Sequence, residues 1–472
     1  MKGLFLVSAI LCLFQPTSTM ASELPGVIHY TLDVRFHLKE QRVTITATLS
    51  IKNTTDKPFT KIPFLLYRLL TVDQVDGDAG ASLQFRQNII QLRDEPSFQV
   101  REVVVDLNST LKPDDSVTLR VTYAGYIFGY PEVMEYVKDR IDEEYSLLRP
   151  DAFAYPILAE PTFSSVIAAN DTKFTYDVTA TVPKNYSVAC GGELIDHRAV
   201  SDSSTFEFRS RIPTWRIDIA VARFAVLQNS EANLVVYHLP DDSAGARKVL
   251  EAAKDVIKLY SGMFGRPSRY LGYTVIEIPD GWGSQASDCY FLQTSAAFKD
   301  SSRIPEIYHE IGHSWNATPS RDVQRCRYFD EAFASFFEAL AIRTFRGERA
   351  FEQKMEQSRN LFVRWAQRDH QVFDTPIAGY GAKELGRHSY TKGAWSLYVL
   401  YRLVGEKVFA SVIRNMLTEF AGRAINFDDF QKLCERTAGR DLHKFFQEWI
   451  YGRESSQLLV DMVPVDVIVK RL

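Results

Sequence analysis

The chain has 472 residues, 46% hydrophobic and 24% charged, too long for one ordinary domain and too apolar for a disordered chain. Its 55 basic and 59 acidic residues leave a net charge of −4. With no dense basic block, nucleic acid is not expected as a partner.

Residues 1–21 read as a secretory signal. Lys2 supplies the positive end, residues 3–14 the apolar core, and "TMA" before Ser22 the small-residue cleavage site. The apolar run falls short of the ~20 residues of a membrane span. The mature protein is therefore expected to be secreted or periplasmic, with no membrane span after signal removal. Cys190, Cys289, Cys326 and Cys434 would remain. They are too sparse for a disulfide scaffold and lack the spacing of a cysteine zinc site, so mostly buried thiols with at most one bridge are expected.

Residues 22–231 read as an all-β domain, a sandwich or saddle-shaped sheet. "HYTLDVRF", "RVTITATLSIKN", "KFTYDVTATVP" and "RIDIAVARFAVL" alternate apolar and polar residues between turn-forming Pro, Asp and Asn. Residues 232–455 read as an α+β domain, mostly helical in its C-terminal half. "LVVYHLP" is a strand, "SAGARKVLEAAKDVIKLYSGMFG" an amphipathic helix, and "YTVIEIPDGWGSQASDCYF" a strand, a Gly-rich turn and an edge strand. The tail, 456–472, alternates in "LLVDMVPVDVIVKRL" and is expected to be a strand.

"YHEIGHSWNA" carries the chemistry. Residues four apart on a helix share a face, so His309 and His313 can grip one zinc ion, with Glu310 beside them as a base. The helix has Ser301 or Ser302 as candidate caps and Pro305 in its first turn. A catalytic zinc with three protein ligands keeps a position for water. The third ligand is expected to be Glu331, 18 positions after His313, in the apolar stretch "YFDEAFASFFEALAI". A carboxylate there is costly unless an ion compensates it. Asp330 fits a helix cap or a partner of a ligand. Tyr390 could donate to the oxyanion that forms when water attacks an amide. His388 reads as a surface histidine or one behind the site, Trp315 and Trp395 as core.

"HEIGHSW", "FDEAFASFFE" and "HSYTKGAWSLYVLYRLVG" together resemble the gluzincin metallopeptidases of the aminopeptidase N and leukotriene hydrolase family. "AYPILAEPTFSS" and "INFDDFQKLCERTAGRDLHKFFQEWIYG" extend the resemblance over nearly all of the mature chain. It implies a thermolysin-like catalytic domain, one zinc on His309, His313 and Glu331, Glu310 as base and Tyr390 as the motif tyrosine. The family's aminopeptidases carry "GxMEN" on the edge strand, with a Glu that binds the substrate's amino terminus. Here "GSQAS" stands in its place, making Gly283, Ser284, Gln285 and Ala286 the candidate substrate-binding residues and putting Ala286 at the Glu position. The family's N-terminal-domain Gln has no clear counterpart near Tyr145 to Leu148, and the linker from His313 to Glu331 is one residue shorter than usual.

The expected function is that of a secreted zinc metallopeptidase acting on peptides or proteins, and not a standard aminopeptidase. The alternatives are a catalytically weak relative that binds peptides or proteins in the same cleft, or a hydrolase of a non-peptide substrate.

Overall fold

A computed structural model describes residues 24–170, 172–267 and 271–472; the signal expected at 1–21 lies outside them. The chain divides into two compact units, an N-terminal β unit and a mostly helical C-terminal unit. Among the described residues, the first contains 24–247 and 271–299, the second 248–267 and 300–472.

Period-two alternation builds the β unit. In Arg42–Lys52 every second side chain, Val43 through Ile51, is buried. The strand lies between Gly26–His37 and Ser116–Tyr126, antiparallel to both, in a seven-stranded sheet. A three-stranded sheet centred on Gln99–Leu111 shares its core. These layers account for the sandwich-like pattern read from the sequence.

The unit also holds a second three-stranded sheet, Ser187–Cys190, Ile219–Ala222 and Ser146–Leu148, and a five-stranded one in the order Ala225–Asn229, Leu234–His238, Tyr273–Ile278, Tyr290–Thr294 and Gln285–Ser287. Its boundary differs from the one expected at 231/232. Ile276, Ile278, Trp282 and Leu292 pack in one cluster with Tyr145, Leu147, Ala189 and Ala220, so burial holds these strands with the preceding β-structure. Gln285–Ser287 is the edge strand, as expected.

The helical unit packs around aromatic side chains. Phe333 of helix Phe333–Arg346 meets Phe430 of helix Phe427–Ala438 edge-on at 5.6 Å. The latter helix starts with a capping box between Asn426 and Asp429. Trp315 and Trp395 are core residues. The tail forms helices Glu454–Val460 and Val465–Arg471, correcting the expected strand. Pro464 starts the second helix, Ile468 is buried, and Arg402 pairs with Asp466. Alternation in a short segment cannot make a strand without a neighbouring strand to supply its hydrogen bonds. Cys190, Cys289, Cys326 and Cys434 are all buried, as expected. No helix of the described residues is long and apolar enough to cross a membrane.

Candidate metal centre

Helix Ile304–Gly312 buries Ile304, Ile307, Tyr308 and Ile311, which leaves His309 and Glu310 on its more open side. Asp300, rather than Ser301 or Ser302, caps the turn that leads into it, accepting from Ser302 N at 2.8 Å. Pro305 is in the first turn, as expected. The helix continues as a tighter turn, His313–Trp315, anchored by Trp315 Nε1 donating to Gly265 O at 2.8 Å.

Glu331 enters from a wide π-type turn, Tyr328–Ala332, and is 4% exposed. Its Oε2 lies 3.2 Å from His309 Nε2 and 3.7 Å from His313 Nε2. One ligand atom from each of the three residues lies within 4.8 Å of the others. Behind the ligands, Asp330 Oδ1 meets His313 Nδ1 at 2.7 Å and Glu338 Oε2 faces His309 Nδ1 at 3.7 Å. A carboxylate on Nδ1 keeps the proton there and turns the Nε2 lone pair toward a metal. Two imidazoles and one buried carboxylate with such partners fit zinc. Asp330 thus lies behind His313, a candidate ligand, and does not cap the helix.

The charges of the site are tightly coupled. Burial raises the Glu310 carboxyl, with the two histidines opposing it. Burial disfavours the charge on His313, but Asp330, Glu331 and Glu310 outweigh it and lift the imidazole to about 9. Metal and proton therefore compete for this ring.

Tyr390 reaches the same place from the turn Gly386–Tyr390. Its ring stacks on His309, with centroids 5.6 Å apart and planes 10° from parallel, and burial together with the nearby Glu331 carboxylate raises its phenol well above the ordinary tyrosine value. Ser389 Oγ donates to Cys326 O at 2.6 Å, tying this turn to the segment before Glu331. Gly393 is required by close approach: a Cβ there would lie 2.7 Å from Ala332 Cβ.

Residues 286–449 match the family model described as the peptidase family M1 domain. The chain is 23% identical over 310 residues to probable aminopeptidase 2 of Sulfurisphaera tokodaii, covering 59% of this chain and 38% of that one. It is 21% identical over 450 residues to glutamyl aminopeptidase of Rattus norvegicus, covering 89% and 46%. It spans less than half the length of these curated relatives. The M1 zinc metallopeptidase from Deinococcus radiodurans superposes with a TM-score of 0.63 at 19% identity, covering 92% of this chain and 96% of that one. Yeast LTA4 hydrolase gives 0.66 at 16% identity, covering 91% and 68%. The similarity to M1 peptidases is carried by residues 286–449, which include His309, His313 and Glu331.

The "GSQAS" residues belong to the β unit. Gly283 has φ +73°, and a Cβ there would lie 2.9 Å from the Tyr136 ring. Ser284 Oγ accepts from Thr294 N at 3.2 Å. Gln285 accepts from Arg149 at 3.3 Å and donates to Asp151 at 2.8 Å, while Ala286 pairs with Phe291 on the neighbouring strand. The acids nearest in sequence are engaged. Glu277 takes bonds from Leu239 N and Ser295 Oγ, Asp280 accepts from Ala296 N, and Asp288 pairs with Lys173.

Sequence reasoning missed Glu338 and Arg327. Glu338 lies seven positions after Glu331 on a continuous helical stretch, and that spacing was the available signal. His388 is fully buried against Trp365, not at the surface, and burial pushes it down to about 4.

Lys392 of the tyrosine motif is also fully buried. Its Nζ donates to Ser456 Oγ at 2.8 Å and Thr375 O at 3.4 Å. Burial pushes the amine down to about 7, with Glu454 opposing. The folded protein thus releases this proton near pH 7, the unfolded chain near pH ~10.4. Between those values the unfolded state binds more protons, so the contribution to stability rises with pH and is lost as pH falls through about 7. Lys392→Met should flatten that part of the pH dependence of Tm in calorimetry. An unchanged profile would assign the slope to other groups.

Proposed function

We propose that this chain is a zinc-dependent metallopeptidase that hydrolyses peptide bonds, with Glu310 as general base and Tyr390 as oxyanion donor. The convergence of His309, His313 and Glu331, with Glu310 on the same helix and Tyr390 stacked on His309, carries the reading. Zinc held there supplies Lewis acidity toward water and a carbonyl oxygen. Glu310 takes the proton of the attacking water and passes it to the leaving amine. The Tyr390 phenol, kept protonated by burial and by Glu331, donates to the developing oxyanion. Tyr390→Phe should lower kcat by ~10²–10³-fold with little change in KM. Parental turnover in steady-state assays would make the tyrosine a packing residue.

The proposal extends to specificity: this is not a standard aminopeptidase. Ala286 stands where the resemblance places the amine-binding Glu, and Glu277, Asp280 and Asp288 are each engaged elsewhere. An ammonium group entering a partly buried cleft needs an anionic partner. Paired peptides, free and acetylated at the amino terminus, should be cleaved at comparable rates, with products read by mass spectrometry. Stepwise loss of single residues from the free peptides alone would overturn this. Export is also proposed, on Lys2, the apolar run and "TMA". Mass spectrometry of the exported protein should then find Ser22 at its amino terminus.

A further inference from the structure

Arg327 is the anomaly of the metal centre. It has φ +55° and ψ +24°, a left-handed conformation that non-glycine residues avoid, and it directly precedes the π-type turn that carries Asp330 and Glu331. A glycine would hold this backbone at less cost. The side chain is therefore what the position uses.

Its guanidinium divides both carboxylates. Nε and Nη2 bond to Asp330 Oδ2 at 2.8 and 2.5 Å, leaving Oδ1 for His313 Nδ1. Nη2 also bonds to Glu331 Oε1, while Oε2 is the oxygen that faces the two imidazoles. One side chain thus holds the third metal ligand and the partner of the second. The surroundings are shaped to admit it: a Cβ on Gly386 would lie 2.8 Å from Arg327 Cγ and 2.5 Å from Arg325 O. The fork geometry of arginine suits this task; a lysine offers one point charge.

We infer that Arg327 is a positioning residue that keeps Glu331 Oε1 away from the metal, restricting Glu331 to one ligating oxygen and so preserving an open position on the ion. This rests on the zinc-peptidase reading of the site. Without the fork, the carboxylate must be immobilised on binding and is free to present both oxygens. It should then bind metal more weakly and crowd it more.

The test uses the full chain, stripped of metal and titrated with Zn(II) against a chromophoric chelator, then with Co(II) in visible absorption. Co(II) absorbs more strongly when four-coordinate than when its coordination number is higher. Arg327→Met should lower zinc affinity by ~10–100-fold, as loss of a residue that orients a ligand does, and weaken the visible cobalt bands relative to the parent. Arg327→Lys should be intermediate. Arg327→Gly relieves the backbone and removes the fork, so it carries the test if the Met variant fails to fold. It should show the same two losses. Parental affinity and cobalt bands in Arg327→Gly would overturn the inference and leave Arg327 as a turn residue. A parent protein that takes up neither metal would instead overturn the zinc-peptidase reading itself.

Discussion

Glu310→Gln should leave the fold and the zinc content intact and lower peptide hydrolysis by roughly 10²–10⁴-fold, the contribution of a positioned general base. The substitution preserves shape and keeps one oxygen, but the amide cannot accept the proton that water must lose as it attacks. Glu310 lies between His309 and His313 on the motif helix and contributes no atom to the ligand cluster, so removing its charge spares the metal site. Metal analysis and circular dichroism, beside a steady-state assay, separate these effects. A Gln variant that hydrolyses peptides at the parental rate would remove Glu310 from the mechanism. One that loses zinc would show the residue to be part of the metal site.

Replacing Glu331 by Ala should abolish both activity and stoichiometric zinc. Two imidazoles remain, but the anionic ligand is gone, and a three-ligand site becomes a two-ligand one. Calorimetry provides a readout independent of activity. A ligand at one hundred times its Kd stabilises the folded state by about 2.7 kcal/mol, so added zinc should raise the Tm of the parent and leave that of Glu331→Ala unchanged. Arg327 retains Asp330 as a partner in the variant, and this should limit the damage to the metal-free fold. A zinc-dependent rise in Tm equal to that of the parent would show that another group supplies the third ligand.

The parts of the site legible in the sequence depend on local geometry. His309 and His313 are one helical turn apart, and that spacing alone puts them on one face. Glu331 could be singled out because an ionised carboxylate amid "YFDEAFASFF" requires a compensating charge. Tyr390 needed the surrounding motif, since nothing local distinguishes it from the other tyrosines. The burial of Lys392 and the close approach at Gly393 explain why that motif has its form: the lysine points into the core and the glycine lets its helix meet Ala332.

By itself the sequence determined the order of a β region and a helical region, the strands of the first through period-two alternation, and the shared face of His309 and His313 through a spacing of four. These features are set by the repeat of each element, which neighbouring residues already encode. Tertiary structure alone decided the rest. It assigned strands 273–294 to the β unit, because their apolar side chains complete a core begun at Tyr145. It made the tail helical, because no strand lies beside it to satisfy its backbone. It also joined Glu338 to His309 and Asp330 to His313, and set Arg327 in a left-handed turn where its fork spans two carboxylates. The backbone angle of one residue sets that last arrangement, with Arg327 N donating to Gln324 O and Glu331 N donating to Arg327 O on either side of it.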